Sequence, residues 1–413
     1  MGVTVYFLGA VIVALLGVWQ SESFLYTSHE CVANDGPFSC TYEEARDKFR
    51  AAITPFLRDA NDMQSYPVSD EGLEIDIAYI GSKAPTGLVI HMSGTHGVEA
   101  HAGAGVQTDW LRKLSEGTGG KEVTEFIQPD RNVGIVFVSL LNPYGMKYGR
   151  RFNENSVDLN RNLLTDKQWE SLKKSGGNAK KEYEQFDVPL FNPPRPAVWS
   201  DSWLTLPKAL YYTVIYGVNT LKTAVVTGQY YNPKGIFYTG DKIQPSYQAV
   251  TDYFQNRSEL FSNVRTTMIV DVHTGLGPAG IDTLMPDSDA VCNYFPGAPV
   301  CDSHASEATT EVAAGYELVW GTTSKLITAL PLGIPGSHMH VCQEFGTVPG
   351  IMVVNALVLE NMAYHYGTSG VSRETFQQGL RDAFYVRNDA WEELVRARGA
   401  LVLEQAIVGV SKA

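Results

Sequence analysis

Short apolar runs that stop abruptly in polar, glycine-bearing loops constrain this chain more than any other feature. Gly87-Leu-Val-Ile-His91 runs into Ser93-Gly94-Thr95-His96-Gly97. Val133-Gly-Ile-Val-Phe-Val138 leads to Asn142-Pro143-Tyr144-Gly145, read as a tight turn. Met268-Ile-Val-Asp-Val272 stops at His273-Thr274-Gly275. Length and β-branched content predict strands at all three, with a fourth over Ile281–Met285. Helical patterns lie between them. Tyr42, Ala45 and Phe49 predict a helix from Ser39 to Arg50, and Pro349–Tyr366 predicts another, closed by Gly367. Ala390–Val408 predicts a long C-terminal helix with Trp391, Leu394, Leu401 and Leu403 towards the core. This alternation predicts an α/β fold: a central mixed, largely parallel twisted sheet flanked by helices.

Thr165–Gly228 interrupts the alternation. It is basic at Lys173, Lys174, Lys180 and Lys181, Pro-rich at Pro193-Pro194-Arg195-Pro196, and aromatic from Trp199 to Tyr216. It reads as a helical insert over one face of the sheet, placed to cover a site, within a single domain spanning residues 24–413. The apolar run Val3–Trp19 falls between the ~20 residues of a spanning helix and the ~7–15 of a signal core. Ser21-Glu22-Ser23 offers a cleavage position before Phe24, and no Lys or Arg follows until Arg46. Residues 1–23 are expected to be a cleaved signal peptide, with an N-terminal membrane anchor as the alternative.

Cys31 and Cys40 bracket one turn-rich loop, Cys292 and Cys301 bracket another, and Cys342 is left over. Disulfides across both loops fit a secreted protein, although four cysteines allow three pairings. With 32 Lys+Arg against 45 Asp+Glu, the net charge of −13 excludes a general nucleic-acid binder.

Polar side chains in α/β folds are presented where strands end. One such end carries His96-Gly97-Val98-Glu99, a His and a carboxylate spaced to reach one metal. Another carries Asp271-Val272-His273, whose Asp shares the imidazole's face of the strand and can orient it. Two His and one carboxylate make a catalytic zinc set with a fourth position left for water. Arg150-Arg151 and Asp158-Leu159-Asn160-Arg161-Asn162 offer guanidinium and amide groups for a substrate carboxylate and a developing oxyanion. Gln343-Glu344-Phe345-Gly346-Thr347 offers a general base. His91 reads as structural, His101 breaks the ligand spacing, and His338 and His340 read as neighbours of the site. No Gly-x-Ser-x-Gly elbow is present, so a serine hydrolase is disfavoured.

Taken in order, these motifs resemble the zinc carboxypeptidase superfamily. Gly94-Thr-His-Gly-Val-Glu99 is similar to its first metal motif, Val157-Asp-Leu-Asn-Arg-Asn162 to its substrate-carboxylate motif, and Asp271-Val-His-Thr-Gly275 to its third ligand. The likeness extends over Tyr42–Phe49, Gly228–Tyr238, Glu344–Pro349 and Phe384–Trp391. It points to a poorly characterised branch near the aspartoacylase and succinylglutamate desuccinylase group, and covers roughly Phe38–Val408. The resemblance implies that His96, Glu99 and His273 bind one Zn2+. It implies that Arg151 stabilises the oxyanion, with Arg150 competing for that role. Asn160 and Arg161 would hold the substrate carboxylate, and Glu344 would activate water and protonate the leaving nitrogen. A tyrosine over the substrate has no fixed place; Tyr230, Tyr231 and Tyr238 are the candidates. The implied activity is hydrolysis of an amide or peptide bond beside a free carboxylate. The alternatives are N-acyl amino acid deacylation of aspartoacylase type, or a non-catalytic binding protein on the same fold. The implied partner is a peptide or N-acyl amino acid, with membrane contact only through the possible anchor.

Overall fold

The computed structural model describes residues 31–175, 180–217, 220–221, 223–224, 227–295 and 319–412. The N-terminal apolar run with its cleavage position, and Cys301, lie outside the described residues. In chain order the principal elements are α1 (Tyr42–Ile53), β1 (Met63–Pro67), β2 (Glu74–Gly81), β3 (Gly87–Ser93), α2 (Ala100–Glu116), β4 (Val133–Ser139) and α3 (Pro143–Lys147). The insert follows as α4 (Asp166–Ser175), α5 (Lys180–Phe186), β5 (Ala197–Val198) and α6 (Asp201–Tyr216). Then come α7 (Pro245–Asn256), β6 (Thr266–Ala279), β7 (Asp282–Pro286), β8 (Ser337–Gly346), α8 (Gly350–Tyr366), β9 (Thr368–Ser369), α9 (Arg373–Phe384) and α10 (Asp389–Val410).

Seven strands form one sheet in the order β1-β2-β4-β3-β6-β8-β7. Its centre is parallel: β3 pairs with both β4 and β6, and β6 with β8. Its margins are antiparallel, where β1 meets β2, β2 meets β4, and β7 meets β8. Every residue of β3 and β4 is buried. Side chains alternate between two cores, as the two-residue strand period requires. Val89, Ile135, Met268 and Val341 pack with Phe49, Trp110, Leu403 and Ile407 from α1, α2 and α10. Leu88, Ile90, Val136 and Ile269 pack with Tyr247, Val250 and Phe254 from α7. The architecture is therefore the expected mixed sheet between helical layers.

Two expectations need correction. Asn142–Gly145 is not a free-standing turn. Asn142 caps α3, its Oδ1 accepting the Gly145 N–H at 2.8 Å, and Pro143 fits the first turn because its missing N–H costs nothing there. Leu394 and Leu401 are 42% and 40% exposed rather than core. The buried stripe of α10 runs through Trp391, Val395, Val402 and Ala406, and the two leucines fall on its flank. β1, β2 and β8 lie outside the strands expected from the sequence, although β2 holds the apolar run Ile77-Ala-Tyr-Ile80. β8 reads Ser-His-Met-His-Val-Cys-Gln-Glu-Phe-Gly, half of it polar, yet from Met339 onward it is buried.

The insert packs Phe186, Leu190, Phe191 and Ala209 against Val353, Leu357 and Met362 of α8 and Phe376 and Leu380 of α9. Val98, Phe152 and Phe237 belong to the same cluster, which brings the insert beside the strand ends. Cys31 and Cys40 form a disulfide. Among the described residues, no helix is long and apolar enough to cross a membrane.

Candidate metal and substrate site

The parallel core decides where the chemistry converges. β3, β6 and β8 are neighbours, so the loop after β3, the middle of β6 and the last turn of β8 meet at one edge. His273 and Glu344 are register partners across β6 and β8, and in-register residues of parallel strands share a face. The loop after β3 brings in His96 and Glu99 through a single turn of 3-10 helix, Gly97–Glu99. Only glycine fits at 97, since an added Cβ would overlap the backbone of Gly145.

One ligand atom each from His96, Glu99 and His273 lies within 4.8 Å of the others, all three residues buried. His96 Nδ1 is 2.7 Å from Glu99 Oε1, and His273 Nδ1 is 2.9 Å from Glu99 Oε2. The two Nδ1 atoms are 3.2 Å apart. Each imidazole's other nitrogen meets a carboxylate: His96 Nε2 lies 3.2 Å from Asp158 Oδ1, and His273 Nε2 lies 2.7 Å from Asp271 Oδ2. Carboxylates accept, so each Nε2 can donate to Asp158 or Asp271, which leaves each Nδ1 able either to donate to Glu99 or to present a lone pair to a cation at the common centre. A divalent cation at that centre would take both Nδ1 lone pairs and the Glu99 carboxylate in place of the His–Glu99 hydrogen bonds. The donor set thus fits zinc, which takes N and O ligands from His and carboxylate.

Asp158 is the residue that sequence reasoning quoted without assigning a role. Besides facing His96, it accepts from Arg151 Nε at 3.0 Å and from the Asn160 N–H at 3.0 Å. Burial alone would raise its carboxyl, but Arg151, His96 and Arg161 outweigh burial and hold it well below the ordinary range. Asp271 is likewise held down, with burial overcome chiefly by His273. Thr95 and Thr323 also donate to Asp271, at 2.9 and 2.7 Å. The shared Thr323 hydroxyl places His340 beside Asp271, with His340 Nε2 at 3.0 Å from that oxygen and outside the ligand set. Thr95 follows the end of β3 and could have been found from that placement; Thr323 opens the 3-10 turn Thr323–Lys325, which no strand end marks.

Glu344 is buried at the same edge, and its Oε1 accepts the Leu276 N–H at 3.0 Å. The bulge of β6 after Thr274 makes that contact, and Gly275 permits it with φ +132°. Burial and then the charge of Glu99 push the Glu344 carboxyl up to about 8.

The two adjacent arginines part company. Arg151 donates from Nη1 to Glu99 at 3.2 Å and from Nε to Asp158, which commits two of its five N–H groups at the centre. Arg150 turns the opposite way. It is fully buried, donates to Glu360 Oε1 at 2.9 Å and to Asn361 Oδ1 at 3.2 Å, and lies over the ring of Tyr364. An Arg-Arg pair is ordinarily wet surface; here one member is core and the other faces the site. We expect Arg150→Met to destabilise the protein by about 3 kcal/mol in urea unfolding, because it strands the buried Glu360 carboxylate. Adding Glu360→Leu restores most of that loss. A stable but inactive Arg150→Met protein would instead give Arg150 a place at the site.

Asn160 and Arg161 are buried on the loop after Val157. Asn160 Oδ1 accepts the Thr323 N–H at 3.1 Å, and Arg161 Nη1 donates to the Asn160 carbonyl at 2.8 Å. The three candidate tyrosines have these contacts. Tyr231 donates to Asp187 at 3.2 Å, Tyr230 packs edge-on to Trp169, and the Tyr238 carbonyl accepts the Asp158 N–H at 2.8 Å. His91 is 3.2 Å from Gln107, and His101 stacks on Tyr385, so both are structural as expected.

The family model described as "Protein of unknown function (DUF2817)" matches residues 38–398. No curated protein matches the chain. Among solved structures, the chain is similar to carboxypeptidase A from Helicoverpa armigera, at 12% identity over 95% of this chain and 80% of that one, with a TM-score of 0.40. It is similar to bovine thrombin-activatable fibrinolysis inhibitor in complex with tick carboxypeptidase inhibitor, at 11% identity over 91% and 98%, with a TM-score of 0.41. It is also similar to a metallo-carboxypeptidase from Burkholderia cenocepacia, at 12% identity over 87% and 68%, with a TM-score of 0.37. At these scores the likenesses carry nothing about chemistry, which rests on this chain's own side chains.

Proposed function

We propose, given that the chain belongs to the DUF2817 family, that it is a zinc-dependent hydrolase of an amide or peptide bond next to a free carboxylate. One observation carries the reading: two Nδ1 atoms and one carboxylate converge within 4.8 Å, while Asp158 and Asp271 face the opposite nitrogens. His96, Glu99 and His273 are the residues that would hold the ion. When bound, zinc supplies Lewis acidity towards a carbonyl and lowers the pKa of water to ~7.

The chain's own groups would do the rest. Glu344 takes the proton of the attacking water and returns it to the leaving nitrogen, which frees the amine. Arg151 offers its uncommitted N–H groups to the oxygen on which negative charge develops. Asn160 and Arg161 hold the substrate's carboxylate and so place the scissile bond. The disulfide between Cys31 and Cys40 supports a secreted protein, since such bonds persist in oxidising compartments.

A panel of blocked dipeptides and N-acyl amino acids separates carboxypeptidase from deacylase action. In either case we expect amidation of the substrate's carboxylate to lower kcat/KM roughly 10²-fold, the worth of a charge-assisted arginine contact. Arg161→Ala should erase most of that preference. Equal cleavage of free and amidated substrates by the unmodified protein would remove carboxylate recognition from the reading.

A further inference from the structure

We propose that Phe237 is a positioning residue whose ring holds Arg151 and Arg161 in fixed relation to each other, an inference that rests on the amide-hydrolase reading. Phe237 has φ +60°, a left-handed backbone that a bulky side chain rarely adopts. Such a conformation persists only where its surroundings over-determine it, and such residues cluster at functional sites. The ring is buried, and the guanidinium carbons of Arg151 and Arg161 lie 5.5 and 5.9 Å from its centroid.

The surroundings supply that over-determination. The Gln229 N–H donates to the Phe237 carbonyl at 3.0 Å, and the Thr239 N–H donates to the Gln229 carbonyl at 2.8 Å. On the far side, the Tyr238 carbonyl accepts from Asp158, and the Thr239 carbonyl accepts from Asn162 Nδ2 at 2.8 Å. The residues after Phe237 are thus tied to the segment that carries Asp158, Asn160 and Arg161. Gly228 closes the other end: φ is +75°, and a Cβ there would come within 3.1 Å of Arg161 Cδ. The loop grips Arg161 at its stem through Gly228 and at its head through Phe237.

The physical need is plain. Two guanidinium groups that meet one ring repel each other, even with Asp158 as a counter-charge close to both. The negative face of an aromatic ring attracts both and offsets that repulsion without adding a carboxylate that would compete with the substrate's. Arg151 meets the scissile carbonyl and Arg161 the carboxylate, so the ring sets the spacing between the two points of recognition.

The test replaces Phe237 with pentafluorophenylalanine, nearly equal in shape but with the sign of the ring face reversed, beside Phe237→Leu. We expect kcat/KM for the free-carboxylate substrate to fall roughly tenfold in the fluorinated protein and at least as far in Phe237→Leu. Zinc content and melting temperature should stay near those of the unmodified protein for the fluorinated form. A fluorinated protein with unchanged kcat/KM overturns the proposal, and it decides the matter even where Phe237→Leu fails to fold. Absence of zinc binding and turnover in the unmodified protein would sink the hydrolase reading instead. Nε–H exchange of Arg151 and Arg161 by NMR then still decides on Phe237: faster exchange in the fluorinated protein supports it, and unchanged exchange refutes it.

Discussion

Glu344→Gln should lower turnover roughly 10²- to 10⁴-fold, the span that a positioned general base contributes, while zinc content stays at the level of the unmodified protein. Glutamine keeps the shape of the side chain and can still accept the Leu276 N–H, so the bulge of β6 and the register of β6 with β8 should survive. What it loses is the ability to take a proton. The pH profile sharpens the test. Burial raises the Glu344 carboxyl, and the Glu99 charge raises it further. A cation bound at Glu99 offsets the second effect and leaves the first. A base works only when deprotonated, so kcat/KM should rise with pH through a limb lying above the ~4.3 of an ordinary glutamate. That limb should vanish in Glu344→Gln. A glutamine protein with zinc bound and full turnover would take the base role away from Glu344, whereas an unmodified protein that binds zinc without any turnover would favour a binding protein.

His273→Ala should abolish both zinc binding and activity, with turnover down roughly 10³-fold or more, since a three-ligand catalytic set cannot spare a member. The readout need not be catalytic. Zinc binds the folded chain and should stabilise it by RT ln(1 + [L]/Kd), about 2.7 kcal/mol at a hundredfold excess over Kd. The melting temperature of chelator-treated protein should therefore rise on adding zinc, and that of His273→Ala should not. Alanine also removes the partner of Asp271, whose remaining contacts are the hydroxyls of Thr95 and Thr323. A modest loss of zinc-free stability, on the order of 1–3 kcal/mol, is expected from that alone. An alanine protein that still shows the zinc-dependent rise would place the ion elsewhere.

Much of the sheet was legible because β3, β4 and β6 are buried on both faces, and burial on both faces writes an uninterrupted apolar run. β8 escaped notice for the opposite reason. From His340 onward its polar residues are buried at the site or bonded in the core, as Gln343 is to Asp282 at 2.9 Å, so polarity there does not mean exposure. The C-terminal helix was placed correctly but not its flanks, because Leu394 and Leu401 sit beside the apolar stripe and not on it.

The linear chain alone named the side chains that could share an ion. His96-x-x-Glu99 and Asp271-x-His273 are local patterns at the ends of apolar runs, and local spacing decides which way neighbouring side chains face. Only the tertiary structure separated Arg150 from Arg151, turned Asp158 towards His96 and set Phe237 against two arginines. Those outcomes depend on partners brought from afar, such as Glu360, 210 residues from Arg150. Adjacent residues of identical chemistry take opposite roles once one of them finds a buried carboxylate, and no local pattern carries that information.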